Sequence, residues 1–369
     1  MKNRFLKTGL ILLCLAALIE ISSYLCVIYL RHRGIIYAPF KVSFSEYEEY
    51  LSRRDKITGW PYPQSSLPAN AGLNSPQAYI SVYGDSFTQG AGAKAGCSYS
   101  DFLSEILNRE VANYGVGGFG TDQAYLRFIN NNRDDTPIVI LGYSVENIVR
   151  NVNRYRPLLY YNREEVFGLK PRYIINADGG LKLIPLPEFD YGDFMKTISF
   201  PEKYFKYDFF APGTQAGVRK QKFPFSICLF NVLKENAHVR AKLRGLSWYS
   251  EFYEFNHPSG ALEVTLGIMK EFCREALKKN KKPLILIIPL PLDLAYFKEK
   301  NKWTYENLVR QLRERNPPFI DAGPPMIVYL QGKDLRQIGE GGRLNLHYNE
   351  EGYKIIARIV AEDLKILKQ

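Results

Sequence analysis

Two continuous apolar runs, "TPIVILGY" at residues 136–143 and "PLILIIPL" at 283–290, constrain the fold of this 369-residue chain more than any other feature. Runs of this length and composition are typical of strands that are buried on both faces of a parallel sheet. Parallel strands need long crossover connections, which are usually helical, and amphipathic segments alternate with the apolar runs. The alternation therefore predicts a doubly wound parallel sheet.

The same pattern predicts the other elements of this sheet. Strands are expected at 78–83, 111–114 and 317–323, and helices at 98–109, 121–131, 303–315 and 350–368. The alternation stops at about residues 150–258, a segment rich in Tyr, Phe, Pro and Arg that contains a hairpin predicted to turn at Asp178-Gly179. We interpret this segment as a large insertion, which either packs on the sheet or caps the cleft at the carboxyl ends of the strands.

The first 33 residues predict where the chain is located. A basic start precedes an apolar stretch of about 22 residues, which at 1.5 Å per residue is long enough to cross a bilayer. No small-residue cleavage site follows it, so the pattern predicts an uncleaved signal anchor with the rest of the chain outside the cytoplasm, in the periplasm or at the cell surface. Glu20 lies in mid-span, where a carboxylate is costly; we expect it to be paired, protonated or part of a larger membrane assembly.

Composition narrows the classes of partner. The formal charge is +11, but the basic residues are scattered without a compact Lys/Arg tract, which disfavours nucleic acid and leaves anionic lipid, an acidic polymer or a plainly solvated basic surface. Only three cysteines lie outside the apolar stretch, and the chain has four histidines, so neither a disulfide scaffold nor a metal site is expected. No cofactor is predicted. The predicted organisation is an anchor at 1–33, a polar connector at 34–76 and one domain at 77–369.

A serine at the end of the first predicted strand is the strongest candidate nucleophile. In "AYISVYGDSFTQGAG" the apolar strand runs directly into Gly84, Asp85 and Ser86. This position lies at the carboxyl edge of a parallel sheet, where such folds bind their ligands, and Gly84 allows the tight turn. A helix that follows would place the positive end of its dipole near Ser86.

Two further loops belong to the same edge. In "NYGVGGFGTDQAYL" the residues Gly115, Gly117 and Gly120 have the GxGxxG spacing of a dinucleotide-binding loop, with Glu146 as the acid for a ribose. The preceding strand is short and is not the first of the sheet, which favours instead a loop that brings backbone N–H groups to a substrate oxygen. Asn147 follows the next strand, where it could donate to an oxyanion or cap a helix.

A nucleophilic serine needs a base, and His347 has the best context of the four histidines. It precedes the last predicted helix in "LNLHYNEEGYKIIA". His32 flanks the apolar stretch, His238 lies in a basic segment, and His257 lies in the insertion. We therefore predict that His347 is the general base for Ser86.

Taken in order, "YGDSFTQG", "NYGVGGFGTDQ", "GYSVEN" and "HYNEEGY" resemble the four sequence blocks of the SGNH (GDSL-type) hydrolase superfamily, in a membrane-anchored bacterial form. The resemblance covers about residues 77–149 and 280–366. It implies a flavodoxin-like three-layer α/β/α sandwich and acyl-ester chemistry. By position it implies Ser86 as nucleophile and His347 as base. The implied oxyanion hole comprises the Ser86 and Gly118 N–H groups and the Asn147 amide, with Gly84 and Asp85 shaping the turn.

The sequence departs from that family where an aspartate usually stands two or three residues before the histidine. Here those positions hold Leu344 and Asn345. Three arrangements are compatible with this departure: a Ser–His dyad oriented by Asn345 or a backbone carbonyl, a carboxylate supplied by Glu340 or Asp321, and a site with weak or lost catalysis.

Three functions follow from these features. The leading hypothesis is a membrane-anchored serine esterase that removes acetyl or similar acyl groups from a cell-envelope carbohydrate or lipid. The first alternative is a polysaccharide O-acyltransferase that uses the same serine and histidine and is supplied with acyl donor by a membrane-protein partner. The second is a catalytically silent glycan-binding module. Aromatic residues of the insertion, Tyr155, Tyr160 and Tyr161, either stack on sugars or belong to a core.

Overall fold

The computed structural model describes residues 2–33, 35–59, 78–160, 162–214, 217–235 and 247–366. The helices, in chain order, are α1 (Lys2–His32), α2 (Phe44–Arg53), α3 (Ser86–Gln89), α4 (Tyr99–Leu107), α5 (Thr121–Asn130), α6 (Asn147–Arg150), α7 (Arg156–Leu159), α8 (Tyr191–Ser199), α9 (Pro201–Tyr204), α10 (Phe225–Glu235), α11 (Ala261–Lys278), α12 (Pro291–Lys300), α13 (Glu306–Arg315), α14 (Gly323–Tyr329) and α15 (Glu350–Ile366). The strands are β1 (Ile36–Tyr37), β2 (Ile80–Tyr83), β3 (Val111–Asn113), β4 (Ile138–Ser144), β5 (Arg172–Ile175), β6 (Leu181–Ile184), β7 (Arg219–Lys220), β8 (Lys282–Ile288) and β9 (Phe319–Asp321).

Five strands form a parallel sheet in the order β3-β2-β4-β8-β9. The two long apolar runs become neighbours at its centre, where β4 pairs with β8 from Ile138↔Lys282 to Ser144↔Ile288. All residues of β4 are buried, because a central strand of a parallel sheet is covered on both faces. The predicted mixed α/β fold with a parallel sheet is therefore confirmed. Its carboxyl edge carries the loops that follow β2, β3 and β4.

The helices that follow these strands bury apolar faces. α4 begins with a capping box between Ser98 and Asp101 and packs against α15, whose inner face includes Ile356 and Val360. α11 packs against α5 and β8, and it buries Leu262, Phe272 and other residues at helical spacing. These two helix pairs cover the sheet and leave its carboxyl-edge loops to form the site.

Most predicted elements are observed, and their ends differ by a few residues at most from those expected. The hairpin is also confirmed: β5 and β6 are antiparallel and pair at Ile175↔Leu181, and Gly179 in the turn has φ +76°. Several helices were not among the expected elements, and the longer ones are α8, α10, α11, α12 and α14. α12 begins with Pro291 directly after the apolar strand β8, so its sequence continues the apolar run without a clear helical period.

The chain divides into two compact units. One contains Met1–Leu51, Asn153–Leu169 and Glu188–Trp248, and the other contains Ser52–Val152, Lys170–Pro187 and Tyr249–Gln369. The second unit holds the parallel sheet and the β5–β6 hairpin. The segment that we interpret as an insertion thus contributes residues to both units.

The first unit contains α1, whose stretch Arg4–His32 is long and apolar enough to cross a membrane; among the described helices it alone meets that test. A cluster of stacked and tilted rings, including Tyr47, Tyr50, Phe167 and Phe194, joins α2 to α8. Tyr155 is buried and stacks on Phe205, so it belongs to the core of this unit and is not available to a sugar.

Some expectations lie outside the described residues. These are Tyr161, His238 and the Pro- and Ser-rich part of the connector at 60–76. The described part of the connector is more regular than its polar composition suggests, because α2 is an amphipathic helix that buries Tyr47 and Tyr50.

Candidate active site

The turn after β2 holds Ser86 in a fixed position. Gly84 leaves the strand where no side chain fits, since a Cβ atom there would stand 2.7 Å from the Gly142 carbonyl oxygen of β4. Asp85 is the N-cap of α3, and its Oδ1 accepts a hydrogen bond from the Phe87 N–H at 3.0 Å. Ser86 is the first residue of α3 and is only 6% exposed. The chain thus presents the serine from a short, capped turn at the carboxyl edge of the sheet.

Asp85 is a buried carboxyl group with a buried guanidinium beside it. Its Oδ2 lies 3.3 Å from Arg150 Nη1, and that same nitrogen donates to the Phe119 carbonyl oxygen at 3.2 Å. Burial raises the pKa of the Asp85 carboxyl above its usual range, and the Arg150 guanidinium opposes that rise. Arg150 therefore connects the nucleophile turn to the loop after β3, and no pattern in the sequence singled it out.

Ser86 and His347 meet across a separation of 261 residues. The His347 Nε2 atom lies 2.9 Å from Ser86 Oγ, within hydrogen-bonding distance. The imidazole packs on Phe87, with ring centroids 4.9 Å apart, and the next residue, Tyr348, is buried and donates to the Pro289 carbonyl oxygen at 2.6 Å. The two predicted catalytic side chains are thus adjacent, with the ring fixed by packing.

The carboxylate next to the imidazole belongs to Glu340. Its Oε2 lies 3.3 Å from His347 Nδ1. The loop that carries both residues is closed by its own backbone, since the Glu340 N–H donates to the His347 carbonyl oxygen at 2.9 Å and the Asn349 N–H donates to that of Ile338 at 2.9 Å. This network assigns the Nδ1 proton to the Glu340 side and leaves Nε2 as an acceptor for the serine hydroxyl.

Asn345 does not hold the position that we considered for it. Its side chain is exposed, and within the described part of the chain no hydrogen bond joins it to His347. The closure of the loop brings Glu340 to the ring and leaves Asn345 exposed. Asp321, the other carboxylate considered, instead accepts hydrogen bonds from Tyr305 and Gly323.

The glycine-rich loop after β3 packs on the nucleophile turn. The Val116 N–H donates to the Gly84 carbonyl oxygen at 3.1 Å, and a Cβ atom on Gly115 would stand 2.5 Å from the Gln89 nitrogen of α3. Gly118 follows with φ +79°, a conformation that favours glycine. The glycines therefore permit a close approach between two loops of the site.

Asn147 begins α6 directly after the central strand β4. It is 1% exposed, and within the described residues its side-chain oxygen has no hydrogen-bond partner. Glu146, considered above as a ribose acid, contacts Arg150 at 3.4 Å. Since β3 and β4 are the two neighbours of β2 in the sheet, Gly118 and Asn147 follow strands on either side of the one that precedes Ser86.

Gly92 is a further residue of this region that the sequence did not indicate. It has φ +87°, and a Cβ atom there would stand 2.8 Å from the Cβ of His347 and 3.1 Å from Glu340 Oε2. Any side chain at this position would displace the imidazole or its carboxylate. Such a requirement depends on contacts between distant segments and leaves no local signal.

The protein contains a second Ser–His contact that has none of these surroundings. His257 Nδ1 and Ser259 Oγ are 2.7 Å apart, but the two residues are neighbours in one turn, and Ser259 Oγ also accepts the Ala261 N–H at the start of α11. This contact belongs to the turn that precedes α11. In the described ranges, no group of three or more His, Cys, Asp or Glu side chains could hold a metal ion.

No protein-family model and no curated protein matches the chain. Its structure is similar to that of a lipolytic protein of the G-D-S-L family from Desulfitobacterium hafniense (13% identity, TM-score 0.36), over 77% of this chain and 97% of that chain. A second member of that family, from Veillonella parvula, gives 13% identity and a TM-score of 0.36, over 77% and 96%. An acetyl xylan esterase from the rumen bacterium Butyrivibrio proteoclasticus gives 9% and 0.31, over 80% and 64%. Structural similarity at this level does not identify the activity of the chain. The activity is therefore inferred from the geometry of the site.

Proposed function

We propose that the chain is a membrane-anchored serine ester hydrolase that removes small acyl groups, such as acetyl, from a cell-envelope carbohydrate outside the cytoplasm. The observation that carries this proposal is the 2.9 Å contact between Ser86 Oγ and His347 Nε2 at the carboxyl edge of the sheet. A hydroxyl paired with a neutral imidazole, which in turn faces a carboxylate, is the arrangement that activates a serine for attack on an ester.

In the first step, Ser86 Oγ attacks the carbonyl carbon of the ester while its proton moves to His347 Nε2. The imidazolium that forms is stabilised by the Glu340 carboxylate at 3.3 Å. Collapse of the tetrahedral intermediate breaks the ester C–O bond, and the proton on Nε2 leaves with the alcohol. Water then attacks the acyl-serine, with His347 again accepting a proton, and the acid and free serine are released.

Three donors are candidates for stabilising the oxyanion: the Ser86 N–H, the Gly118 N–H and the Asn147 amide. Within the described part of the chain, neither backbone N–H has an acceptor, and the buried Asn147 side chain has no hydrogen bond. A ligand oxygen placed among these groups would accept from the two backbone N–H groups and from the Asn147 side-chain N–H, which supports the oxyanion-hole assignment.

The decisive experiment measures acyl-ester turnover by the full-length protein in detergent micelles. We expect Ser86→Ala and His347→Ala each to lower kcat by at least about 10⁴-fold. The second Ser–His contact offers matched controls, and His257→Ala and Ser259→Ala should keep the wild-type rate. Equal activity of all five proteins would overturn the proposal.

Hydrolysis and acyl transfer use the same serine and differ only in the acceptor. Acetate release from an acetylated polysaccharide, compared with appearance of acetyl groups on an added sugar acceptor, separates them. Release without transfer is the expected result. A fluorophosphonate that modifies a related esterase but not Ser86 would instead support a silent binding module.

A further inference from the structure

The acidic residue in the middle of the apolar helix α1 is bound by another part of the chain. Glu20 Oε2 accepts a hydrogen bond from the Phe225 N–H at 2.6 Å, and its Oε1 accepts from the Ser226 N–H at 3.3 Å and from the Ser226 hydroxyl. Phe225 and Ser226 are the first two residues of α10. The carboxylate therefore caps the amino end of a second helix.

The depth of this contact follows from the geometry of α1. Glu20 precedes Leu30 by ten residues, which corresponds to about 15 Å along the helix axis, or half of a hydrocarbon core that is about 30 Å thick. If α1 spans the membrane, as the proposed function assumes, the amino end of α10 lies near the middle of the bilayer.

Residues 221–225 run from the level of the carboxyl end of α1 to the depth of Glu20, and α10 then runs back toward that end of α1. Gln221 accepts a hydrogen bond from Arg31 at 3.3 Å, so residue 221 lies level with the carboxyl end of α1. Four residues later Phe225 packs on Tyr24, with ring centroids 4.8 Å apart. α10 then packs along α1, and its Cys228 and Val232 enter one apolar cluster with Val27 and Ile36.

The hydrogen bonds of Glu20 satisfy two kinds of group that are each costly in a membrane, the first N–H groups of α10 and the carboxylate itself. The first N–H groups of a helix have no partner within it, and each would cost several kcal/mol in hydrocarbon. A carboxylate is also costly in a membrane, but the positive end of a helix dipole favours it. Each group therefore removes the cost of the other.

The side of α10 that faces away from α1 is apolar and exposed. It presents Ile227, Phe230 and Leu233 at helical spacing, and Phe223, two residues before the helix, is exposed as well. This surface continues that of α1, where Leu25 and Tyr29 are also exposed. Lysines lie only at its two ends, Lys222 and Lys234, where long side chains reach the headgroups.

We infer that residues 223–234 form a re-entrant membrane segment, which dips into the half of the bilayer that contains the carboxyl end of α1, contacts lipid acyl chains through its outer face and is held by Glu20. Its occupant is lipid and not another protein, because its apolar face is continuous with the spanning helix and its buried backbone donors are already satisfied within the chain. The inference rests on the anchoring of α1 in the proposed function.

Fluorescence quenching by brominated lipid tests this. Three single variants of the full-length protein are placed in phosphatidylcholine vesicles with bromine at mid-chain or near the chain end, and each is compared with the parent, whose three tryptophans set the background. Leu18→Trp reports on α1, and Phe230→Trp reports on α10. Leu277→Trp is the matched control on α11, since Leu277 and Phe230 are both 63% exposed.

We expect bromine to quench most of the added fluorescence of Leu18→Trp and Phe230→Trp and none of that of Leu277→Trp. Phe230→Trp should be quenched more strongly by mid-chain bromine than by bromine near the chain end, because residue 230 lies closer to the membrane surface than residue 18. If Leu18→Trp is quenched while Phe230→Trp behaves like Leu277→Trp, the re-entrant segment is overturned and the anchor stands. If Leu18→Trp is not quenched, the anchoring itself fails.

The role of Glu20 is tested in the Phe230→Trp background. Glu20→Leu removes the acceptor but keeps α1 apolar, so it should reduce the quenching of Phe230→Trp, whereas the same change beside Leu18→Trp should have no effect. Glu20→Gln keeps one acceptor oxygen and should retain most of the quenching. Full quenching of Phe230→Trp in the Glu20→Leu protein would overturn the docking.

Discussion

The two halves of the candidate catalytic pair are held in different ways. The serine side is buried: Ser86 is 6% exposed, and Asp85 beside it is fully buried with Arg150. The histidine side is open, with side-chain exposures of 30% for His347 and 39% for Glu340. The nucleophile is thus fixed by a cap, a glycine turn and a buried ion pair, whereas the base depends on a surface loop and a solvated carboxylate. Disruption of the first should be costly for folding, and disruption of the second should mainly affect the rate.

Arg150→Met should give the largest effect and tests the serine side. It leaves the buried Asp85 without its cation, which should lower the free energy of unfolding by about 3–5 kcal/mol. Arg274→Met removes an arginine that is 56% exposed from its ion pair with Glu271, and should change the free energy of unfolding by less than about 0.5 kcal/mol. Urea unfolding measures both. Similar values for the two variants would mean that burial does not distinguish the serine side.

Asn147→Ala should raise the activation free energy of turnover by nearly as much as Arg150→Met lowers the free energy of unfolding. Loss of one oxyanion donor lowers kcat by about 10²- to 10³-fold, with little change in KM, because the donor acts on the charge that develops in the transition state. Steady-state kinetics with an acyl ester measure it. A rise in KM at constant kcat would assign Asn147 to substrate binding instead.

Glu340→Gln tests the histidine side. A buried aspartate in this role contributes about 10⁴-fold in serine proteases, but Glu340 is partly exposed and 3.3 Å from the ring, so we expect a loss of about 10- to 100-fold in kcat. Thermal stability should not change. Asn345→Ala is the matched control and should keep the wild-type rate; a larger loss for Asn345→Ala than for Glu340→Gln would return the orienting role to Asn345.

Asp321→Asn should give the smallest effect, on stability alone. Burial raises the pKa of Asp321 to about 6. The native state therefore keeps a proton that the unfolded state loses from about pH 4, and this stability is present at low pH and lost as the pH rises to about 6, by about 1–2 kcal/mol. The change in Tm from pH 4 to pH 6.5 should therefore be more favourable for the variant than for the parent, with unchanged kcat.

The comparison also explains which parts of the site could be predicted from the sequence. The serine turn depends on neighbours in the chain, a buried strand followed by glycine and a cap, and such local patterns predict both the sheet and the position of Ser86. His347 could be chosen by elimination among four histidines. The contact of Glu340 with the imidazole depends on how the loop at 338–349 closes, which its spacing alone leaves open between three candidates.

Arg150 and Gly92 were missed for a related reason. Each acts through segments that are distant in sequence: Arg150 through Asp85 and Phe119, and Gly92 through His347. Helix α10 was missed because it is largely apolar, with only Ser226 and Asn231 polar before Lys234. The role of the Glu20 carboxylate could not be predicted because its partners lie on α10, about 205 residues away in the sequence.

The backbone bonds that close the histidine loop tie Glu340 and His347 into one rigid piece. The carboxylate and the imidazole must then move together: if that piece shifts, the distance between His347 Nε2 and Ser86 Oγ increases while the contact between the imidazole and Glu340 is kept. Whether the pair can react then depends on one distance, that between the histidine loop and the turn that holds Ser86. A movement of this loop would change the rate of ester hydrolysis without breaking the contact between Glu340 and His347.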